Sequence, residues 1–195
     1  MSMTVIGLIS GTSYDAVDAA AARMRLEGDT LFLVPLGVHA VPIPAPLRAR
    51  IAAALPPHHT TVEEICRLDT TIGQLFGSVA ADANTALTGG AADLVSSHGQ
   101  TVYHWVDGRT ALGTLQLGEP AWIAEASGLP VVSGLRSRDI TRGGQGAPLA
   151  SLLDALLVLG EDRAIGSLNL GGIDGIVGRP TDQPDHGHAH RCAPA

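Results

Sequence analysis

The spacing of apolar residues along the chain changes between the period of a strand and the period of a helix. Residues 4–10, TVIGLIS, form a short apolar run that ends at a Gly-Thr-Ser turn, which predicts a buried strand. Residues 30–43 alternate and carry β-branched side chains, which predicts another strand. The alanine-rich residues 16–26 are compatible with a helix by propensity or with a strand that returns from the turn.

Later segments alternate between helical and strand patterns. Residues 61–87 are the longest helical pattern, and Thr61 and Glu64 have the spacing of a capping box. Shorter helices are predicted at residues 44–55, 119–128 and 147–160, and strands at residues 89–99, 114–118, 129–134 and 164–172. Strands that alternate with helices predict an α/β fold in which helices cover a sheet.

Composition narrows the class of protein. Of 195 residues, 45% are hydrophobic and 16% charged, which is typical of a packed globular interior. A net charge of -7 argues against a nucleic-acid partner. The sequence has no apolar run of about 18 residues, and no basic leader precedes the first strand, so we expect no membrane span or signal peptide and a cytoplasmic location.

The end of the sequence differs in composition from the rest. Residues 179–195 are polar, rich in proline and without periodicity, which predicts a loose tail. His186, His188, His190 and Cys192 alternate there and could chelate zinc. We favour a tail without metal, because nothing packs these side chains into a fixed geometry.

The first glycine turn carries candidate phosphate ligands. Ser10, Gly11, Thr12 and Ser13 offer hydroxyls and bare backbone for phosphate oxygens, and Asp15 could hold a magnesium ion or a water on it. An ordinary hairpin turn uses the same residue types, and the local pattern alone favours that interpretation. The lysine of a Walker A loop is absent.

The segment RSRDITRGGQGAPL, residues 136–149, carries a candidate general base. Asp139 stands among Arg136, Arg138 and Arg142, which could keep the carboxylate ionised or bind substrate anions. The glycines that follow permit close approach of a ligand, and a carboxylate can accept a proton from water or a hydroxyl. A surface loop with ion pairs explains the local pattern equally well.

His98 and His104 lie in a further glycine-bearing segment, HGQTVYHW, at residues 98–105. One interpretation is a polar wall that hydrogen-bonds a sugar or an amide. The other is a pair of surface or core histidines. The position of His98 at a predicted strand end favours a site there, whereas His104 has no such support.

Taken in order, five segments resemble the anhydro-N-acetylmuramic acid kinase family, which belongs to the actin-like, hexokinase-like ATPases. These segments are GLISGTSYDAVDAA, SHGQTVYHW, LQLGEPAWIAEASG, RSRDITRGGQGAPL and NLGGI, and the resemblance covers roughly residues 4–173. It implies an actin-like (ribonuclease H-like) α/β lobe with a mixed sheet and flanking helices. The match at RDITRGGQGAPL is the most specific.

The resemblance also implies a reaction and its residues. The enzyme would open the 1,6-anhydro ring of anhydro-N-acetylmuramic acid with water and transfer the γ-phosphate of ATP, with Mg²⁺, to the freed oxygen. This reaction gives the 6-phosphate and belongs to cell-wall recycling. Asp139 matches the general base. The remaining matches are phosphate-binding Ser10, Gly11, Thr12 and Ser13, and substrate-side His98, Gln100, Thr101, Glu119 and Arg138.

The family continues for about as many residues again, so we expect this chain to lack most of a second lobe. The expected division is a first lobe over residues 1–160, the start of a second lobe over residues 161–178, and the tail. The alternative to an incomplete kinase is a non-catalytic remnant that at most binds a muramyl sugar. A homodimer is left open.

Overall fold

A mixed sheet forms the centre of the computed structural model, which describes residues 2–28, 30–149, 165–169 and 175–179. Strands β1 (Ser2–Ser10), β2 (Ala16–Glu27) and β3 (Thr30–Pro42) form an antiparallel meander. Strand β4 (Leu94–Asp107) lies parallel to β1 on its other side, and β5 (Thr110–Leu117) pairs antiparallel with β4. The order is therefore β3-β2-β1-β4-β5.

Two partners share one edge of β4. The short strand β6 (Val131–Val132) pairs parallel with Val95 and Ser96, and β5 pairs with β4 from Gln100 onwards. Gly99 separates the two stretches with a φ of 74°, and a side chain there would meet the Leu117 carbonyl oxygen at 2.7 Å. The predicted end of the strand at Gly99 is wrong, because the chain bends there and then continues as a strand.

Helices cover the sheet and complete the core. They are α1 (Ala45–Ala54), α2 (Val62–Thr88), α3 (Pro120–Ser127) and α4 (Leu135–Ile140). The buried stripe of α2 includes Leu68, Ile72, Phe76 and Val79, which share one core with Ile6 and Leu8 of β1. Among the described residues, no helix is both long and apolar enough to cross a membrane.

The alanine-rich residues 16–26 are a strand. Val17, Ala19 and Ala21 are buried while Asp18 and Ala20 are exposed, which is the alternation of a sheet with one covered face. Strand β2 also pairs along its length with both β1 and β3. Pairing on both edges therefore outweighs the helix propensity of alanine.

The capping box of α2 is half formed. The Thr61 side chain accepts a hydrogen bond from the Glu64 N–H at 3.1 Å and begins the helix as predicted. The Glu64 carboxylate instead accepts from Arg50 Nε of α1 at 2.8 Å. This bond lowers the pKa of Glu64.

The prediction of an α/β lobe with a mixed sheet and flanking helices is confirmed. Two short elements were not predicted, namely α4 and β8 (Gly175–Arg179), which pairs antiparallel with β7 (Ile165–Asn169). Most of the predicted helix over residues 147–160 and residues 180–195 of the tail lie outside the described residues.

Candidate active site

The turn between β1 and β2 exposes the candidate phosphate ligands. The Tyr14 N–H donates to the Gly11 carbonyl oxygen at 3.0 Å and closes the turn. Ser13 Oγ donates to Asp15 Oδ1 at 2.7 Å, and this hydrogen bond is the main reason that the pKa of Asp15 is lowered. Thr12, Ser13 and Asp15 are all exposed, so they are accessible to a ligand.

Ser10 differs from the rest of the turn because it is buried. Its side chain is 2% exposed, and its Oγ donates to Gln100 Oε1 at 2.6 Å. Gln100 is 1% exposed, and its Nε2 donates to the carbonyl oxygens of Gly11 at 3.3 Å and Thr101 at 3.1 Å. Both ends of the Gln100 amide are therefore used to hold the turn against β4.

His98 connects the same part of β4 to α4. Arg136 Nε donates to His98 Nε2 at 2.7 Å, so the proton of a neutral His98 resides on Nδ1 and is donated to the Gly99 carbonyl oxygen at 3.0 Å. Burial lowers the pKa of His98; the bond to Gly99 opposes this shift, and the charge of Arg136 adds to it. A neutral His98 is thus the form that fits this contact.

Asp139 lies within α4 and is held by backbone groups. Its Oδ2 accepts from the Gly146 N–H at 2.7 Å, and its carbonyl oxygen accepts from the N–H groups of Arg142 and Gly144, both at 3.0 Å. A Cβ on Gly144 would overlap both carboxylate oxygens of Asp139, so only glycine fits beside this carboxylate. The glycine-rich stretch therefore wraps around the acid.

The expected pairing of Asp139 with its neighbouring arginines is not found. Within the described part of the chain, the ion pairs do not include Asp139. Arg136 is directed to His98, while Arg138 and Arg142 are exposed. Arg136 instead donates to His98 on β4, a contact that the local sequence spacing could not indicate.

A side chain that the sequence did not single out ties the glycine-rich stretch to β5. Gln145 Oε1 accepts from the Ala111 N–H at 2.9 Å. His104 faces the same stretch, and its Nδ1 is buried without a partner among the described residues. Burial and the charge of Arg136 lower the pKa of His104, while the neighbouring Gln145 backbone opposes the shift. No local motif marked either contact.

Among the described residues, no side-chain hydrogen bond joins the other predicted substrate-side residues, Thr101, Glu119 and Arg138, to one another. Gln116 Nε2 donates to Thr101 Oγ1 at 3.2 Å, which joins β5 to β4. Glu119 is exposed and caps α3 by accepting from the Ala121 N–H at 3.1 Å. Among the described residues, no side-chain hydrogen bond or ion pair joins Glu119 or Arg138 to His98, Gln100 or Asp139.

The turn offers groups that suit a nucleotide phosphate and magnesium. An added Cβ on Gly11 would meet only Ser13 Oγ, at 3.8 Å, so a ligand can approach the backbone there. Mg²⁺ with a nucleotide commonly uses one or two carboxylates together with phosphate oxygens and waters, and the exposed Asp15 fits that set. No cluster of three or more histidine, cysteine or acidic side chains that could hold a metal occurs in the described residues.

Comparisons with known proteins give a consistent result. Residues 3–193 match the model of a family described as anhydro-N-acetylmuramic acid kinase. A protein of that name from Rhodococcus erythropolis is 60% identical over 175 residues, which are 90% of this chain and 44% of the relative. One from Streptomyces avermitilis is 57% identical over 90% of this chain and 46% of the relative, and one from Salinibacter ruber is 38% identical over 98% and 50%. The chain thus spans about half the length of the curated relatives it matches.

Proposed function

Because the chain belongs to the anhydro-N-acetylmuramic acid kinase family, we propose that it supplies the sugar side and one phosphate-binding turn of an ATP-dependent kinase. The proposed reaction hydrolyses the 1,6-anhydro ring of anhydro-N-acetylmuramic acid and phosphorylates the product to N-acetylmuramic acid 6-phosphate. The proposed setting is cell-wall recycling in the cytoplasm. Residues 1–160 would form the first lobe, and the second lobe would begin at residue 161.

The observation that carries the proposal is that β4 is hydrogen-bonded both to the β1–β2 turn and to α4. Gln100 holds the β1–β2 turn through Ser10 and the Gly11 carbonyl oxygen. His98, on the same strand, accepts from Arg136 of α4, the helix that contains Asp139. A transfer between phosphate and sugar requires both groups at fixed positions relative to each other, and one stretch of β4 supports both.

Asp139 is the proposed general base. Its half-buried carboxylate accepts one backbone hydrogen bond at Oδ2, which leaves Oδ1 to accept a proton from the water that attacks the sugar. The bonded oxygen fixes the direction of the free one. Such a base contributes a factor of about 10²–10⁴ to a rate.

The exposed turn residues Gly11, Thr12 and Ser13 are proposed to bind phosphate oxygens, and Asp15 to orient water on the magnesium ion. Ser10 and Gln100 would act behind them, because their side chains are buried and bonded to each other. Bound ATP with Mg²⁺ would supply the transferred phosphoryl group and neutralise its charge. His98 and Thr101 would line the sugar side with Glu119 and Arg138, whereas the buried Gln100 would only support them.

The test is a chimera, because the chain corresponds to 44% of the Rhodococcus erythropolis relative. Residues 1–178 of this chain are joined to the part of that relative beyond the matched region, and the protein is given Mg²⁺, ATP and the anhydrosugar. We expect mass spectrometry to detect the 6-phosphate. A folded chimera that binds ATP and the sugar but forms no product would contradict the kinase function and favour a protein that only binds the sugar.

Residues 1–195 alone are assayed alongside. We expect no product from them, since alignment of two substrates across a cleft supplies about 7–11 kcal/mol of a barrier and the relatives are about twice as long. Sugar binding without turnover is the expected result for this sample. Product from residues 1–195 alone would contradict the proposed division into lobes.

A further inference from the structure

Arg136 is a half-buried cation that has no acidic partner in the described part of the chain. The ion pairs there join Arg25 to Glu27, Arg50 to Glu64 and Arg67 to Glu63, and none includes Arg136. Because the guanidinium is partly removed from water, burial lowers the pKa of Arg136. A cation in such a position is stabilised by an anion that binds to it.

The orientation of the guanidinium is fixed at one end only. Nε donates to His98 Nε2 at 2.7 Å, and among the described residues no side-chain hydrogen bond uses the two terminal nitrogens. Because the guanidinium is planar, a fixed Nε restricts the plane in which those nitrogens present their N–H groups. The free end of the fork has the geometry that binds two oxygens of one carboxylate.

Arg136 also lies beside the proposed base. Arg136 and Asp139 are separated by one turn of α4, so they share a side of the helix. Gly146 lies beside this side of the helix, because its N–H donates to Asp139 Oδ2 at 2.7 Å and a Cβ added to it would lie 3.5 Å from Arg136 Cβ. An anion on Arg136 would therefore lie on the side of α4 that carries the proposed base.

We propose that Arg136 binds the carboxylate of the muramic acid substrate through its terminal nitrogens and that this contact selects the acid over neutral anhydrosugars. The proposal rests on the proposed function, which provides a substrate with one carboxylate. A transferred phosphate group could use the same donors. The sugar carboxylate is favoured because Asp139, the base proposed to act at the sugar, lies on the same helix, whereas the phosphate turn is held separately by Gln100.

Calorimetry on residues 1–195 tests the proposal with three ligands: anhydro-N-acetylmuramic acid, its methyl ester and Mg-ATP. The ester keeps the sugar and its substituent but removes the charge. Wild type should bind the acid about 10- to 100-fold more tightly than the ester, as expected for hydrogen bonds to a charged group. Arg136→Met should lose that preference and leave the affinity for the ester and Mg-ATP within about threefold.

Two further variants control for charge and folding. Arg136→Lys keeps the charge but not the fork, so it should retain only part of the preference. Arg109→Met removes an exposed arginine from the β4–β5 turn and should bind all three ligands as wild type does. Circular dichroism monitors folding, and if Arg136→Met is unfolded, the lysine variant and the wild-type comparison of acid with ester decide.

Each result has one meaning. Equal binding of acid and ester by wild type would overturn the role of Arg136 while leaving the proposed function in place. Equal losses for acid and ester in Arg136→Met would show a structural role and also overturn it. A selective loss of Mg-ATP affinity would assign the guanidinium to phosphate instead. Failure of wild type to bind either sugar would contradict the proposed function itself, together with this inference.

Discussion

Gly144→Ala is a sharp test of the proposed base, because it leaves Asp139 chemically intact and changes only its position. A Cβ at residue 144 would overlap both oxygens of the Asp139 carboxylate. To reach van der Waals contact the carboxylate must retreat by about 1 Å. That movement breaks or stretches its hydrogen bond from the Gly146 N–H, which is 2.7 Å long.

The effect on turnover follows from this displacement. A shift of about 1 Å in a reacting group can reduce a rate on the order of 10²-fold. The lost hydrogen bond to a charged group is worth about 1.5–3 kcal/mol, and part of this is recovered because the half-buried carboxylate can turn towards water. We therefore expect kcat of the chimera to fall about 100-fold, with a smaller change in the KM for the sugar.

The assay measures 6-phosphate formation at saturating ATP and sugar, with urea denaturation to report stability. Gly143→Ala is the matched control, because residue 143 has no heavy atom within 4 Å of an added Cβ but has a φ of 88°. It should cost about 1 kcal/mol of stability and leave the carboxylate in place. A kcat for Gly144→Ala within threefold of the Gly143→Ala value would refute the assignment of Asp139 as the base.

Three other predictions concern the same region. Asp139→Asn in the chimera should keep sugar binding by calorimetry and lower turnover by about 10²–10⁴-fold; near-normal turnover would exclude Asp139 as the base. Gly11→Val should weaken Mg-ATP binding, because its side chain would occupy the space through which a ligand can approach the backbone. The chain should remain folded, because an added Cβ meets only Ser13 Oγ, at 3.8 Å. An unchanged ATP affinity would make the segment a purely structural turn. Burial lowers the pKa of His98, so on acidification its imidazole is protonated in the unfolded state before it is protonated in the folded state. The free energy of unfolding should therefore be fully retained above about pH 6.5 and fall as the pH decreases through the folded-state pKa. Urea denaturation at several pH values should show a weaker decrease in His98→Gln, and an equal decrease would assign the effect to other groups such as His104.

The larger elements of the fold follow from the sequence because they depend on local signals. Thr61 begins α2 by capping, and the apolar spacing of Leu68, Ile72 and Phe76 gives its buried face. The assignment of residues 16–26 could not be decided in this way. Alanine is compatible with both structures, and the deciding contribution is pairing with strands on either side, which depends on residues distant in the sequence.

The candidate site could likewise be predicted only where the signal is local in the sequence. Asp139 and its glycines could be selected as candidates because their residue types are unusual together, and the close fit of Gly144 explains one of the glycines. The hydrogen bond between Arg136 and His98 could not be predicted, since the two residues lie 38 positions apart in the sequence. The three arginines suggested ion pairs with Asp139, but two of them lie in a six-residue helix, and helices of that length leave little periodicity to detect.

Along one edge, β4 pairs first with β6 and then, beyond the bend at Gly99, with β5. The structure around β4 is therefore sensitive to changes in the length of this strand. An inserted residue between His98 and Gln100 would leave the pairing with β6 intact and reverse the face of every side chain that follows. It would separate Gln100 from the turn and alter the spacing to His98, whatever residue was inserted. The turn at Gly108 and Arg109 lies between strands and bears no such constraint. Insertions and deletions should therefore be tolerated at that tip and excluded at the bend, although both lie close together in the sequence.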